Sequence, residues 1–202
     1  IDFGTSNSAA AIYDGKVVRL VQLESTDAIM PTATHLDREL RTTTGIAAVQ
    51  QYIEENRDRI VELTPEVIAR SQLLVNERNV EDPSSEAEIA AIAVYGQSHV
   101  DRGMPGRLFR GVKRLLGNPS IKRLLVFDHP FRLVALITPV LLHIRKCIQR
   151  TAGEEIAAVH VGHPVRFEGQ EIHHELALSR LGEACHHAGF KQISFYPEPV
   201  AA

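Results

Sequence analysis

The sequence lacks a basic excess. Its formal net charge is -3, with 22 Lys and Arg against 25 Asp and Glu, and this argues against a nucleic-acid binder, whose footprint is cationic. It also lacks any apolar run near the roughly 20 residues that a membrane helix needs. No secretory leader is recognisable, and because the chain opens without methionine its natural start is expected upstream. Cysteine is scarce. Cys147 and Cys185 are the only two, and neither has a Cys-x-x-Cys neighbour. A disulfide framework or zinc knuckle is therefore not expected, and both read as reduced core thiols of a cytoplasmic protein. The motif Gly-x-x-x-x-Gly-Lys-Ser/Thr does not occur, which excludes a P-loop. There is no internal repeat and no low-complexity tract.

What is present is ordinary for a globular chain: 202 residues, 44% hydrophobic and 23% charged, enough for one large domain or two small ones. The most informative stretch is the opening, Ile1-Asp2-Phe3-Gly4-Thr5-Ser6-Asn7-Ser8. It reads as an apolar strand end carrying an acid, then a turn of glycine and hydroxyls. Ala9 to Tyr13 follows as a second strand, closed by Asp14-Gly15. Such a hairpin loop can aim several backbone N–H groups at one point, a nest for anions, and Gly4 allows close approach. Asp2 at the strand end suits a magnesium ion held through its water shell. Taken alone, the same residues also make a plain hairpin turn.

Further on, Val17–Val21 and Ile29–Thr34 read as extended, with Pro31 at an edge or a strand start. From Gly45 to Leu63, Ile46, Val49, Ile53 and Ile60 recur at roughly helical spacing. Thr64-Pro65-Glu66 reads as the start of a helix through Val67, Ile68 and Leu74. Asn79–Glu86 reads as a surface loop, and Ala87–Tyr95 as strand or helix. In Leu108–Gly117 the apolar positions make one helical face with Gly117 as its cap, which leaves Lys113 and Arg114 pointing off that face into solvent. Leu133, Ile137, Val140, Leu141, Ile144 and Ile148 share a face; Pro139 either starts a shorter helix or kinks a longer one, ending near Gly153. A strand at Ile156–Val161, a helix over about 170–188 and a strand at Gln192–Tyr196 make a βαβ unit with parallel strands. The sum is α/β: an opening meander, a largely helical insert over about 37–124, and a βαβ finish. His173, His174, His186 and His187 fall on the last helix. Their two pairs, about 13 residues and so roughly 20 Å apart, are too distant for one metal site.

Glu198 lies between Pro197 and Pro199, just past a strand end. The flanking prolines stiffen the backbone, which suits a carboxylate aimed at a metal-bound water and a plain strand-to-helix turn alike.

Three segments, Ile1–Ser8, Val112-Lys113-Arg114-Leu115-Leu116-Gly117 and Glu198-Pro199-Val200-Ala201-Ala202, together resemble signatures of the 70-kDa heat-shock chaperones, in order and at plausible spacing. Ala158–Phe167 resembles the strand-and-proline segment that the family places before its crossover helix. The likeness is to the divergent bacterial, YegD-like branch of the DnaK type. Ser6 stands where the family commonly has threonine, keeping the hydroxyl.

The resemblance implies an actin-like ATPase (ribonuclease H-like) fold, of which this chain is the first lobe only, with ATP or ADP and Mg2+ as cofactors. The core subdomain would be 1–36 plus 125–202 and the inserted outer subdomain 37–124. By that resemblance, backbone N–H groups around Gly4, Thr5, Ser6 and Asn7 cradle the β- and γ-phosphates, and Asp2 anchors water around the magnesium. Lys113 reaches toward the γ-phosphate and the attacking water, which Glu198 orients. No Asp-x-Gly-Gly-Gly-Thr occurs, so a second lobe of the same chain is expected to complete the cleft, and this piece alone is expected to be inactive. Client polypeptides or co-chaperones are the implied partners; nucleic acid and membrane are not. A small-molecule kinase or an actin-like nucleotide-binding scaffold of the same fold are the competing readings.

Overall fold

A computed structural model describes residues 1–61, 63–74, 89–101, 103–164 and 173–198. In chain order the elements are β1 (Asp2–Phe3), β2 (Asn7–Ala9), β3 (Ala11–Tyr13), β4 (Val18–Leu20), β5 (Met30–Pro31), β6 (Ala33–Asp37), β7 (Thr42–Thr44) and α1 (Gly45–Asn56). Then come β8 (Leu63–Leu74), β9 (Ile89–Asp101), β10 (Gly106–Arg110), a 3-10 turn (Val112–Leu115), β11 (Arg123–Val126), β12 (His129–Arg132), α2 (Leu133–Ala152), β13 (Ala158–His163), α3 (His174–His187) and β14 (Gln192–Pro197). By their internal contacts the residues divide into two compact units, Ile1–Arg57 with Pro105–Ala202, and Asp58–Met104.

The first unit is built on a mixed five-stranded sheet in the order β14-β13-β1-β2-β5. β1 and β14 both run parallel to β13, while β2 is antiparallel to β1 and β5. The βαβ unit has its parallel strands, as the alternation of the sequence predicts. Period-2 alternation gives the sheet two different faces. Phe3, Val159 and Val161 are buried with Leu141, Ile144, Leu181 and Phe190 in one apolar cluster under α2 and α3. Asp2, His160 and Tyr196 belong to the opposite face. α2 is one continuous helix through Pro139, closed by Gly153 in the left-handed region, φ 75°. β6 joins a second sheet, β10-β6-β7.

The second unit, by itself, is the antiparallel pair β8–β9, registered from Leu63↔Asp101 to Leu74↔Ile89. Arg59 pairs there with Asp101. Here the expected helix over Thr64–Leu74 is corrected to a strand. The Thr-Pro-Glu start gives way to pairing with β9, and Pro65 is tolerated where the register slips between Pro65 and Val67.

Two further expectations are corrected. Leu108–Leu116 is not one helix: β10 pairs with β6, Gly111 turns in the left-handed region at φ 69°, and only Val112–Leu115 coils, as a 3-10 turn. A glycine inside an α-helix is costly, and here it serves as the break instead. In α1 the buried residues are Gly45 and Ala48, while Ile46 and Ile53 are exposed. Small residues let the helix approach closely: a Cβ on Gly45 would lie 3.1 Å from Met30 Cε. Apart from α1 and the 3-10 turn, the described elements wholly between 37 and 124 are strands. The loop expected at Asn79–Glu86, the segment Val165–Phe167, the start of the last helix before His173 and the residues Pro199–Ala202 lie outside the described residues. Among the described residues no helix is long and apolar enough to cross a membrane.

Candidate functional site

β1 ends at Phe3, whose side chain is fully buried and so fixes the strand in the sheet. The chain turns back at once, with Asp2 opposite Ala9 and Phe3 opposite Ser8. The turn is tight enough that a Cβ on Gly4 would sit 2.2 Å from the Asn7 carbonyl oxygen. No side chain fits there, which is the physical reason for glycine at this place. The Ser6 carbonyl accepts from the Thr32 N–H at 2.9 Å, and the Ser8 and Thr32 hydroxyls share a buried 2.7 Å hydrogen bond. These bonds tie the turn to the β5–β6 corner. Among the described residues no backbone carbonyl accepts from the N–H of Thr5 or Ser6, which leaves both donors open to an anion.

The 3-10 turn stands beside this hairpin: a Cβ on Gly111 would lie 3.8 Å from Thr5 Cγ2. Lys113, expected to be solvated, is 4% exposed, and its Nζ donates to Glu198 Oε1 at 2.7 Å. Glu198 in turn follows β14 and lies over β13, its Cγ 3.4 Å from where a Gly162 Cβ would be. Gly162 is the register partner of Asp2. Asp2 and Glu198 thus line one concavity of about 510 Å3 on the sheet's uncovered face, together with Ala9, Ala11, His160 and Tyr196. Lys113 touches this lining through Glu198, and the Gly4 turn leaves β1 directly after Asp2, so three separate parts of the sequence come together here.

The pieces that hold Lys113 come from α3. Arg180 donates to three backbone carbonyls, those of Leu116 at 2.8 Å, Asn118 at 3.0 Å and Ile121 at 3.0 Å. Partial burial, then repulsion from Arg132, lower the Arg180 pKa, with Glu183 opposing. The His173 N–H adds a bond to the Gly117 carbonyl at 2.9 Å. Nothing in the sequence singled out Arg180; its three acceptors are backbone atoms, which carry no residue signature. Gly111, two residues before Lys113, was the one legible sign that the segment is broken there.

The histidines on the α3 segment do not converge: His186 and His187 are exposed at its end, while His174 stacks edge-on against His163 at 5.1 Å between ring centroids. Among the described residues no three His, Cys, Asp or Glu side chains gather as a direct metal cage. A magnesium ion carried by phosphates needs no such cage, since it keeps several waters and one or two carboxylates suffice. The exposed Asp2 carboxylate, close in the chain to the free Thr5 and Ser6 N–H groups, fits that mode of binding. Both cysteines are free and buried, Cys147 in α2 and Cys185 in α3. No protein-family model matches the chain.

Proposed function

We propose that this chain is the ATP-binding first lobe, actin-like in fold, of an ATP-hydrolysing protein of the 70-kDa heat-shock chaperone type, acting in the cytoplasm. A second lobe of the same chain would close the cleft, and client polypeptides or co-chaperones would be its partners. The observation that carries the reading is the burial of Lys113 against Glu198, which lines one concavity with Asp2. Burying a lysine ammonium is expensive, and such buried charges gather at functional sites.

The chemistry asked of these residues is positioning and charge neutralisation. The free N–H groups of Thr5 and Ser6 bind phosphate oxygens. The Lys113 ammonium, fixed by its carboxylate partner, presents positive charge where negative charge gathers during phosphoryl transfer. Glu198 has its second carboxylate oxygen to orient a water or hold its proton. Asp2 would hold the hydrated magnesium through its carboxylate. The Mg2+ ion, when bound with ATP, neutralises phosphate charge.

The test is single-turnover ATP hydrolysis with magnesium by the full-length protein and its Lys113→Ala variant. Removal of a preorganised charge at the transferred group is expected to slow turnover by on the order of a hundredfold or more. Equal rates would take Lys113 out of the mechanism. No turnover in either protein would overturn the ATPase reading in favour of a nucleotide-binding scaffold.

A further inference from the structure

The turn that carries Lys113 comprises four residues, bonded at its ends by Arg114 N to Gly111 O at 3.1 Å and Leu116 N to Lys113 O at 3.3 Å. Short 3-10 turns have poor hydrogen-bond geometry and lean on outside support. Beside the buried Val112 and Leu116 and the His173 N–H on Gly117 O, the side-chain support after the turn comes from Arg180. Arg180 spends both terminal guanidinium nitrogens on the carbonyls of Leu116, Asn118 and Ile121, so it closes off the loop that leaves the turn. The helix bearing Arg180 also touches the other end of the ion pair: Gly182 lies against Phe195 of β14, with a Cβ position 3.6 Å from the ring, and β14 leads directly into Glu198. Arg180 and Gly182, on different faces of α3, therefore tie the helix both to the segment after Lys113 and to the strand before Glu198.

We propose that Arg180 is a positioning residue that sets the Lys113–Glu198 pair by clamping the Leu116–Ile121 backbone. Its importance for turnover rests on the ATPase reading given above; its effect on Lys113 does not. Arginine suits this task because its planar fork offers several donors in fixed directions, whereas a lysine ammonium is a single nitrogen that cannot span three separated carbonyls. A neutral replacement leaves those carbonyls without their charged donor and frees the turn to move.

The experiment compares the wild-type chain with Arg180→Ala and Arg180→Lys. Lys113 is labelled with a water-soluble amine-acylating reagent, and Cys147 and Cys185 with iodoacetamide, each rate read by peptide mapping. The expected result is faster acylation of Lys113 in Arg180→Ala, by on the order of tenfold for the loss of charge-assisted bonds. Arg180→Lys should fall between, and both thiols should stay protected. Unchanged labelling of Lys113 would overturn the clamp. A parallel rise at Cys147 and Cys185 would also overturn it, because Arg180 would then be supporting the whole core. In the full-length protein, Arg180→Ala should lower the single-turnover rate more than it weakens ATP binding, since Arg180 bonds none of the residues of the Gly4–Asn7 turn. Absence of turnover in the wild type would sink the ATPase reading alone, leaving the labelling to decide the clamp.

Discussion

Breaking the Lys113–Glu198 pair from its two ends should not cost the same. Lys113 is 4% exposed and Glu198 39%. Removing the carboxylate, as in Glu198→Ala, leaves an ammonium in the interior without a counter-charge. A one-sided deletion of this kind in a fully buried pair costs about 3–5 kcal/mol. Here the vacated carboxylate site admits water, so a lower figure, about 2–3 kcal/mol, is expected. Removing the lysine, as in Lys113→Met, leaves a carboxylate that water already reaches and puts an apolar chain of similar length into the buried position. That loss is about 0–1 kcal/mol, the range of pairs with one hydrated partner. For a chain of this size each kcal/mol moves the melting temperature by about 2–4 °C. Glu198→Ala should therefore melt about 4–12 °C below the wild type, and Lys113→Met within about 4 °C of it. Thermal melts and urea titrations of the three proteins measure this directly. Equal losses, or a larger loss for Lys113→Met, would refute the argument that burial is concentrated on the cation.

Other consequences can be checked with the same apparatus. Gly4→Ala places a methyl 2.2 Å from the Asn7 carbonyl oxygen, so the turn must open. A loss of about 1–3 kcal/mol by urea titration is expected, with weaker binding of ATP by calorimetry; a wild-type midpoint in the variant would show that the turn adapts freely. Burial pushes the Cys185 thiol up to about 12 from its ordinary 9.0. A group whose folded pKa is raised contributes stability that is complete below the unfolded pKa and lost as pH climbs toward the folded one. Between those two values the wild type should lose about 1.4 kcal/mol per pH unit more than Cys185→Ala does. Parallel stability curves for the two proteins from pH 8.5 upward would exclude it.

How much of this was legible in the sequence depended on the range of the interactions. The β13–α3–β14 finish could be read because its signals are local: an apolar run in Ile156–Val161, a helical stripe through Leu181 and Cys185, and Gly189 as a stop. The opening hairpin was legible only in part: the glycine turn is there, but the returning strand is Asn7–Ala9 rather than Ala9–Tyr13, and Ala11–Tyr13 pairs with β4 instead. The Thr64–Leu74 segment was misread because Thr-Pro-Glu is a sound local start for a helix. What decides it is pairing with Ile89–Asp101, a partner its own residues do not announce. In α1 the apolar stripe of Ile46 and Ile53 pointed to the wrong face, since close approach through Gly45 and Ala48 outweighed side-chain hydrophobicity.

Lys113 shows where local pattern fails at the site itself. The apolar positions of Leu108–Leu116 fit a helical face, and on that face a lysine at 113 belongs in water. Gly111 converts the segment into strand plus turn, and the turn rotates Lys113 inward instead. Burial of its charge then requires Glu198, 85 residues away in sequence, and a support from Arg180, whose acceptors are backbone carbonyls. Neither requirement leaves a mark within the Val112–Gly117 segment. The resemblance to a chaperone signature pointed to Lys113 and Glu198 separately, but their contact is a property of the fold, through β13 and β14 lying parallel and α3 supporting both ends. The cation, the carboxylate and Asp2 come from elements that share no local sequence code; the β1–β13 register, Asp2 opposite Gly162, sets Asp2 and Glu198 around one concavity, and Lys113 joins them through Glu198.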